Sequence, residues 1–203
     1  MRRFAAYRFA FVIVSWVHAG CASDLIVRAP DTVRAPRPSP LADLPPLTVS
    51  IESGEGDSDS RAPIGERGAA FLQPGGPIYL TEAPTLALRR TIEEMLSTAG
   101  HRVVLRDAQV HVELGLLEFQ VDAPRDGGAW DVVARVAVSL RVSATPGDAS
   151  WDEIRSKSER SQTLVWRPET RGVEAVLAGC LEGLAETLAR SDELASALAA
   201  HAR

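Results

Sequence analysis

Apolar and polar residues alternate with period two from Leu47, where Leu47, Val49 and Ile51 interleave with Thr48, Ser50 and Glu52, the pattern of a half-buried strand. The period then changes. Leu88, Ile92, Met95, Leu96 and Ala99 recur at three and four residues and predict a helix, with Thr81 or its neighbours as cap, Pro84 in the first turn and Gly100 as a left-handed stop. Val110, Val112, Leu114 and Leu116 restore alternation, after which the phase moves to Leu117, Phe119 and Val121, a shift that predicts a β-bulge. Pro124 to Gly128 reads as a hairpin loop. The return strand places Val132, Ala134, Val136, Val138, Leu140 and Val142 on one face and Asp131, Arg135, Ser139 and Arg141 on the other. Thr145 to Asp148 is a further turn, and Ser161 to Trp166 a more polar last strand. From Thr170, a stripe through Val173, Val176, Leu177, Cys180, Leu181, Leu184 and Leu188 predicts a second helix, followed by an alanine-rich, weakly packed helical tail. These elements imply an α+β fold: an antiparallel sheet of four to five strands with two amphipathic helices packed on one face.

The start of the chain follows a different logic. Arg2, Arg3 and Arg8 precede an apolar run from Phe9 to Val17, and the small residues Ala19 and Gly20 stand before Cys21. Only about a dozen uncharged residues lie between Phe9 and Gly20, against the ~20 that a spanning helix needs. Ala19-Gly20-Cys21 resembles the lipobox of bacterial lipoproteins, with His18 where that motif usually carries an aliphatic residue. The resemblance implies cleavage before Cys21 and acylation of its thiol, which with several buried chains is effectively permanent. Ala22, where an aspartate would imply inner-membrane retention, implies the outer membrane, with the domain facing the periplasm. Residues 22–46, rich in proline and without apolar periodicity, read as an extended tether able to hold a domain nanometres from the membrane. The expected organisation is therefore a signal peptide over 1–20, a lipidated cysteine and tether over 21–46, and an α+β domain over 47–203.

Composition narrows the partners. A chain of 203 residues with 45% apolar residues supports one core. Its net charge of −5 becomes −8 once Arg2, Arg3 and Arg8 are removed with residues 1–20, which hold no acid, and this disfavours nucleic acid or anionic lipid headgroups as the main partner. The acidic stretch from Ser53 to Ser60 lacks the frame of a calcium loop and reads as a solvated turn. Ile64 to Gly68 and Pro74 to Pro77 precede strand-like residues rather than helices, so they read as tight turns and not phosphate loops. Cys180 belongs to the apolar stripe of its helix and is expected as a buried structural thiol. His101, His111 and His201 have no metal-ligand spacing and are expected at the surface. No nucleophile, metal or cofactor motif occurs, so neither catalysis nor a bound cofactor is expected. Trp130, Trp151 and Trp166 fall near strand ends, and Trp151, beside Asp152 and Glu153, is the candidate partner contact.

Taken in order, the lipobox, the proline-rich segment, Ile64-Gly65-x-Arg67, the helix ending Ala99-Gly100-His101, two long strands and the C-terminal helix resemble the YajG-like bacterial lipoproteins from Leu47 onward. That resemblance implies a palmitate-bearing envelope lipoprotein of uncharacterised molecular function, bound to the membrane by its lipid, non-catalytic, and acting through an unknown envelope protein partner. A similar order of elements occurs in auxiliary lipoproteins of ABC-type lipid transport systems, which would bind an amphiphile instead.

Overall fold

A computed structural model describes residues 23–33, 38–54, 62–70 and 74–202. The expected signal segment, the lipobox-like Ala19, Gly20 and Cys21, and the acidic stretch from 55 to 60 lie outside the described residues.

The long periodic elements form where the pattern places them. Strand β6 (Val110–Asp122) pairs antiparallel with β8 (Ala129–Ser143), and the register slips between Leu116 and Glu118 at the expected bulge. Short β7 (Arg125–Asp126) folds back on β8 at the hairpin, which turns through Gly127 at φ 57°. Helices α1 (Pro84–Thr98) and α2 (Thr170–Ala189) carry the two predicted stripes, and Gly100 ends the first at φ 98°. Ala83, within the expected Thr81 neighbourhood, is the N-cap of α1, and it makes no side-chain cap bond.

The sheets are mixed and not purely antiparallel, which corrects the expected architecture. β2 (Thr48–Ser53) runs parallel to both β5 (Arg102–Val103) and β6, because the chain between β2 and β5 crosses over through α1. β3 (Gly65–Arg67), expected as a turn, and β4 (Gly76–Leu80), whose residues Ile78 to Leu80 are strand-like by pattern, pair antiparallel in a second, three-stranded sheet. This sheet curls against the first where Val121 N donates to Ile64 O and Ala123 N to Glu66 O. Only glycine fits position 65 at that join, since a Cβ would lie 1.8 Å from Val121 O.

Two further elements were not apparent in the pattern, and two others are larger or better packed than it predicts. β1 (Leu25–Val27) lies parallel to β4, with Leu25 opposite Ile78, and a 3₁₀ turn covers Pro40–Asp43. Leu25, Val27, Ala29, Val33 and Leu41 are buried, so much of the segment read as a free tether is packed against the fold. Its apolar residues are too sparse to show a period and find partners only in tertiary contact, β1 against β4 and α2. The last strand, β9, runs from Asp152 to Leu164, not merely from Ser161, and pairs with β8 along its whole length. Its alternating charges hide it from a hydrophobic pattern; Lys157, the only lysine of the chain, sits at its centre, where an edge strand benefits from charge. Helix α3 (Asp192–His201), capped by Ser191 Oγ on Leu194 N, buries Leu194, Ala195, Ala197 and Leu198 and is thus a packed third helix.

The core lies between the even-numbered face of β8 and the helices. Val132 to Val142 are buried on that face, and Cys180 Sγ of α2 donates to Ala134 O at 3.4 Å and Ser158 O at 3.3 Å. The other sheet face is polar. It holds cross-strand rows such as Glu52, Glu113, Arg141 and Glu153, aligned through β2, β6, β8 and β9.

Candidate functional site

The polar face closes over at one end. Ser50 of β2, His111 of β6 and Ser143 of β8 form one row, next to that of Glu52, Glu113 and Arg141. The β8–β9 connection from Ala144 to Trp151 folds beside them and bounds a cavity of about 210 Å³. The connection is held locally, with Ser143 Oγ donating to Thr145 O at 2.9 Å and Ser150 N to Asp148 Oδ1 at 3.1 Å. Gly147 permits its turn at φ 71°.

Trp151 lines this cavity and is 43% exposed. The Arg141 guanidinium stands 4.8 Å from its ring centroid, a cation–π contact that orients the indole. Arg141 also reaches Glu113 at 3.7 Å. One tryptophan face is thereby fixed in place while much of the ring meets solvent.

The three tryptophans grouped together by sequence are in three different states. Trp130 is buried, Trp151 is oriented and partly exposed, and Trp166, beyond the other end of β9, is 84% exposed. The histidines also separate. His101 is buried: its Nδ1 accepts from Leu47 N at 3.3 Å and its Nε2 donates to Leu41 O at 3.0 Å, so the neutral ring joins the 3₁₀ turn to the start of β2. Burial lowers its pKa below the ordinary imidazole range, against an opposing effect of the Leu41 carbonyl. His201 meets Asp152 at 3.1 Å.

His111 and Ser50 share a hydrogen bond of 2.6 Å, a pair that single-strand patterning could not find because it forms across parallel strands. A serine and an imidazole at that distance have the components of a nucleophile and base. Ser50 is only 4% exposed, however, and among the described residues no carboxylate is hydrogen-bonded to the second nitrogen of His111. The pair is suited to fixing the strand register. Glu52 and Glu113 adjoin across the same strands, yet among the described residues no three metal-ligating side chains converge. Cys180 is a buried thiol whose pKa is raised, chiefly by desolvation.

A second polar cluster lies at the opposite end of the molecule. Arg67, 7% exposed, donates from Nη2 to Ser23 O at 2.8 Å and Ser23 Oγ at 2.7 Å, and from Nη1 to Pro168 O at 3.3 Å. Arg167 reaches the same Ser23 Oγ at 3.3 Å and Pro74 O at 2.9 Å. Burial and the neighbouring Arg167 charge both depress the Arg67 pKa. No sequence motif signals this pairing, since Ser23, Arg67 and Arg167 come from three distant parts of the chain.

No family model and no curated protein matches the chain by sequence. Among solved structures, a Xanthomonas campestris protein of the DUF330 family is similar with a TM-score of 0.60 and 9% sequence identity, over 86% of this chain and 98% of that one. That share exceeds what residues 47–203 alone would give, so the common fold reaches into the N-terminal segment. A minor lipoprotein of Acinetobacter baumannii matches with a TM-score of 0.45 at 14% identity, over 72% of this chain and 92% of that one. A Caulobacter crescentus protein described as a proposed lipoprotein matches with a TM-score of 0.42 at 16% identity, over 81% and 96% respectively. At such identities the likeness is one of fold, carried by the first comparison.

Proposed function

We propose that the chain is a lipid-anchored protein of the bacterial envelope that acts by binding a protein partner rather than by catalysis. The anchor is the lipid on Cys21, supported by the basic start, the short apolar run and Ala19-Gly20 before it. Ala22 supports the outer membrane as its site, with the folded domain in the periplasm. The YajG-like reading belongs with this proposal and rests on the order of elements.

The observation that carries partner binding is Trp151. A ring already oriented by Arg141, beside a small polar cavity and partly open to solvent, offers large contact area at low entropic cost. The amphiphile-carrier reading draws less support, because Glu52, Glu113, Arg141 and Asp148 line that cavity and an acyl chain would desolvate them. A photo-crosslinker at the exposed position 150, beside an intact Trp151, used in intact cells, is expected to capture one recurrent envelope protein, and loss of that product in Trp151→Ala and Arg141→Ala would tie it to the oriented ring. Capture of nothing specific would defeat the partner reading. Metabolic labelling with a fatty-acid analogue tests the anchor, for equal labelling of wild type and Cys21→Ser would remove it.

A further inference from the structure

The strongly exposed apolar residues Val165 and Trp166, 73% and 84% exposed, adjoin Arg167 at the junction of β9 and α2. Arg167 bonds Ser23, and Arg67 holds that serine by both its carbonyl and its hydroxyl. Ser23 is thus fixed to the folded domain. Cys21 lies two residues earlier, so extended chain separates it from Ser23 by no more than about 7 Å.

A lipid on Cys21 would therefore hold this end of the domain at the membrane surface, with no free tether between them. We infer that the end bearing Ser23, Val165, Trp166 and Arg167 is a membrane-contact surface whose occupant is the headgroup region of the bilayer holding the Cys21 lipid. The inference rests on the proposed lipidation of Cys21. An indole is suited to this boundary, having an apolar body and a polar N–H, and valine adds apolar area beside it. Arg167, its guanidinium taken up by Ser23 Oγ and Pro74 O, ties the exposed pair to the segment that leads to Cys21. Exposed Asp24, Glu66 and Glu169 flank the arginines and offset their charge, so zwitterionic lipid suffices and insertion does not depend on anionic headgroups. In this orientation β9 leads away from the membrane. Its 13 residues span roughly 40 Å at the usual strand rise, placing Trp151 at the far end, accessible to a partner in the periplasm.

Mature acylated protein beginning at Cys21 is reconstituted into phosphatidylcholine vesicles containing lipids brominated near the headgroup, and tryptophan emission is compared with that in unbrominated vesicles. Wild type and Trp151→Phe are expected to lose emission on bromination, and Trp166→Phe to lose far less. Flotation of wild type but not of Cys21→Ser reads the anchor separately. Protein that floats and labels with fatty acid, yet is quenched equally with and without Trp166, or not at all, overturns the membrane-contact surface and leaves the anchor standing. Protein that neither labels nor floats overturns both.

Discussion

The two ends of β9 carry similar ingredients in opposite arrangements. At the distal end, Arg141 lies over Trp151, and both residues keep substantial contact with water. At the proximal end, Arg67 is buried, spends its hydrogen bonds on Ser23 and Pro168, and leaves Trp166 bare one residue from Arg167. An arginine that orients a ring presents that ring as a preformed surface. An arginine that pins the backbone sets where the chain emerges.

Replacing Arg67 has the largest expected effect. Arg67→Ala leaves the buried Pro168 carbonyl without its donor and releases the Ser23 carbonyl from the fold, at a cost of ~1–3 kcal/mol in urea unfolding. Hydrogen exchange should locate the loss in β1 and β4. An effect below that of Arg141→Ala would erase the contrast between a structural and a surface arginine.

Protonating His101 comes next and tests how firmly the segment after Ser23 is docked. Its pKa is lowered in the folded state, so above 6.5 neither state gains a proton there; below 6.5 the unfolded chain takes one first and stability falls until the folded-state value is passed. The slope from this residue is at most about 1.4 kcal/mol per pH unit. His101→Gln is expected to flatten the acid limb of a melting-temperature profile below pH 6.5. An unchanged limb would mean that the 3₁₀ turn is not held through this ring.

Arg141→Ala should cost only ~0.5–1 kcal/mol, since the cation–π contact and the Glu113 pair are solvated. Its stronger readout is the Trp151 emission spectrum, expected to change as the cation leaves the ring. Trp166→Ser has the smallest expected effect on unfolding, within ~0.5 kcal/mol, because so exposed a ring contributes little to the core. Large destabilisation by this substitution would show that the ring is structural and sharpen the comparison against a membrane role.

Much of the architecture is legible because its signals are local. β6 and β8 alternate over long stretches, Gly100 and Gly127 mark left-handed turns, and the stripe from Val173 to Leu188 describes α2 directly. The first half of β9 is not legible, because Asp152 to Arg160 pairs with a strand already formed and needs little apolar alternation of its own. The same limit applies to the sites. Trp151 could be singled out by its acidic neighbours, but nothing along the chain joins Ser50 to His111 or Ser23 to Arg67, since those contacts arise from strand register and sheet curl.

By itself the sequence determined the lipobox-like Ala19-Gly20-Cys21, the two helical stripes and the long hairpin, all of which depend on neighbours within a few turns or pleats. The tertiary structure decided that Leu25 to Val33 packs against the fold, that the sheets are mixed, and that one tryptophan is buried, one oriented and one bare. Burial and exposure are properties of what the folded chain brings alongside, and a residue's type and spacing do not specify that companion.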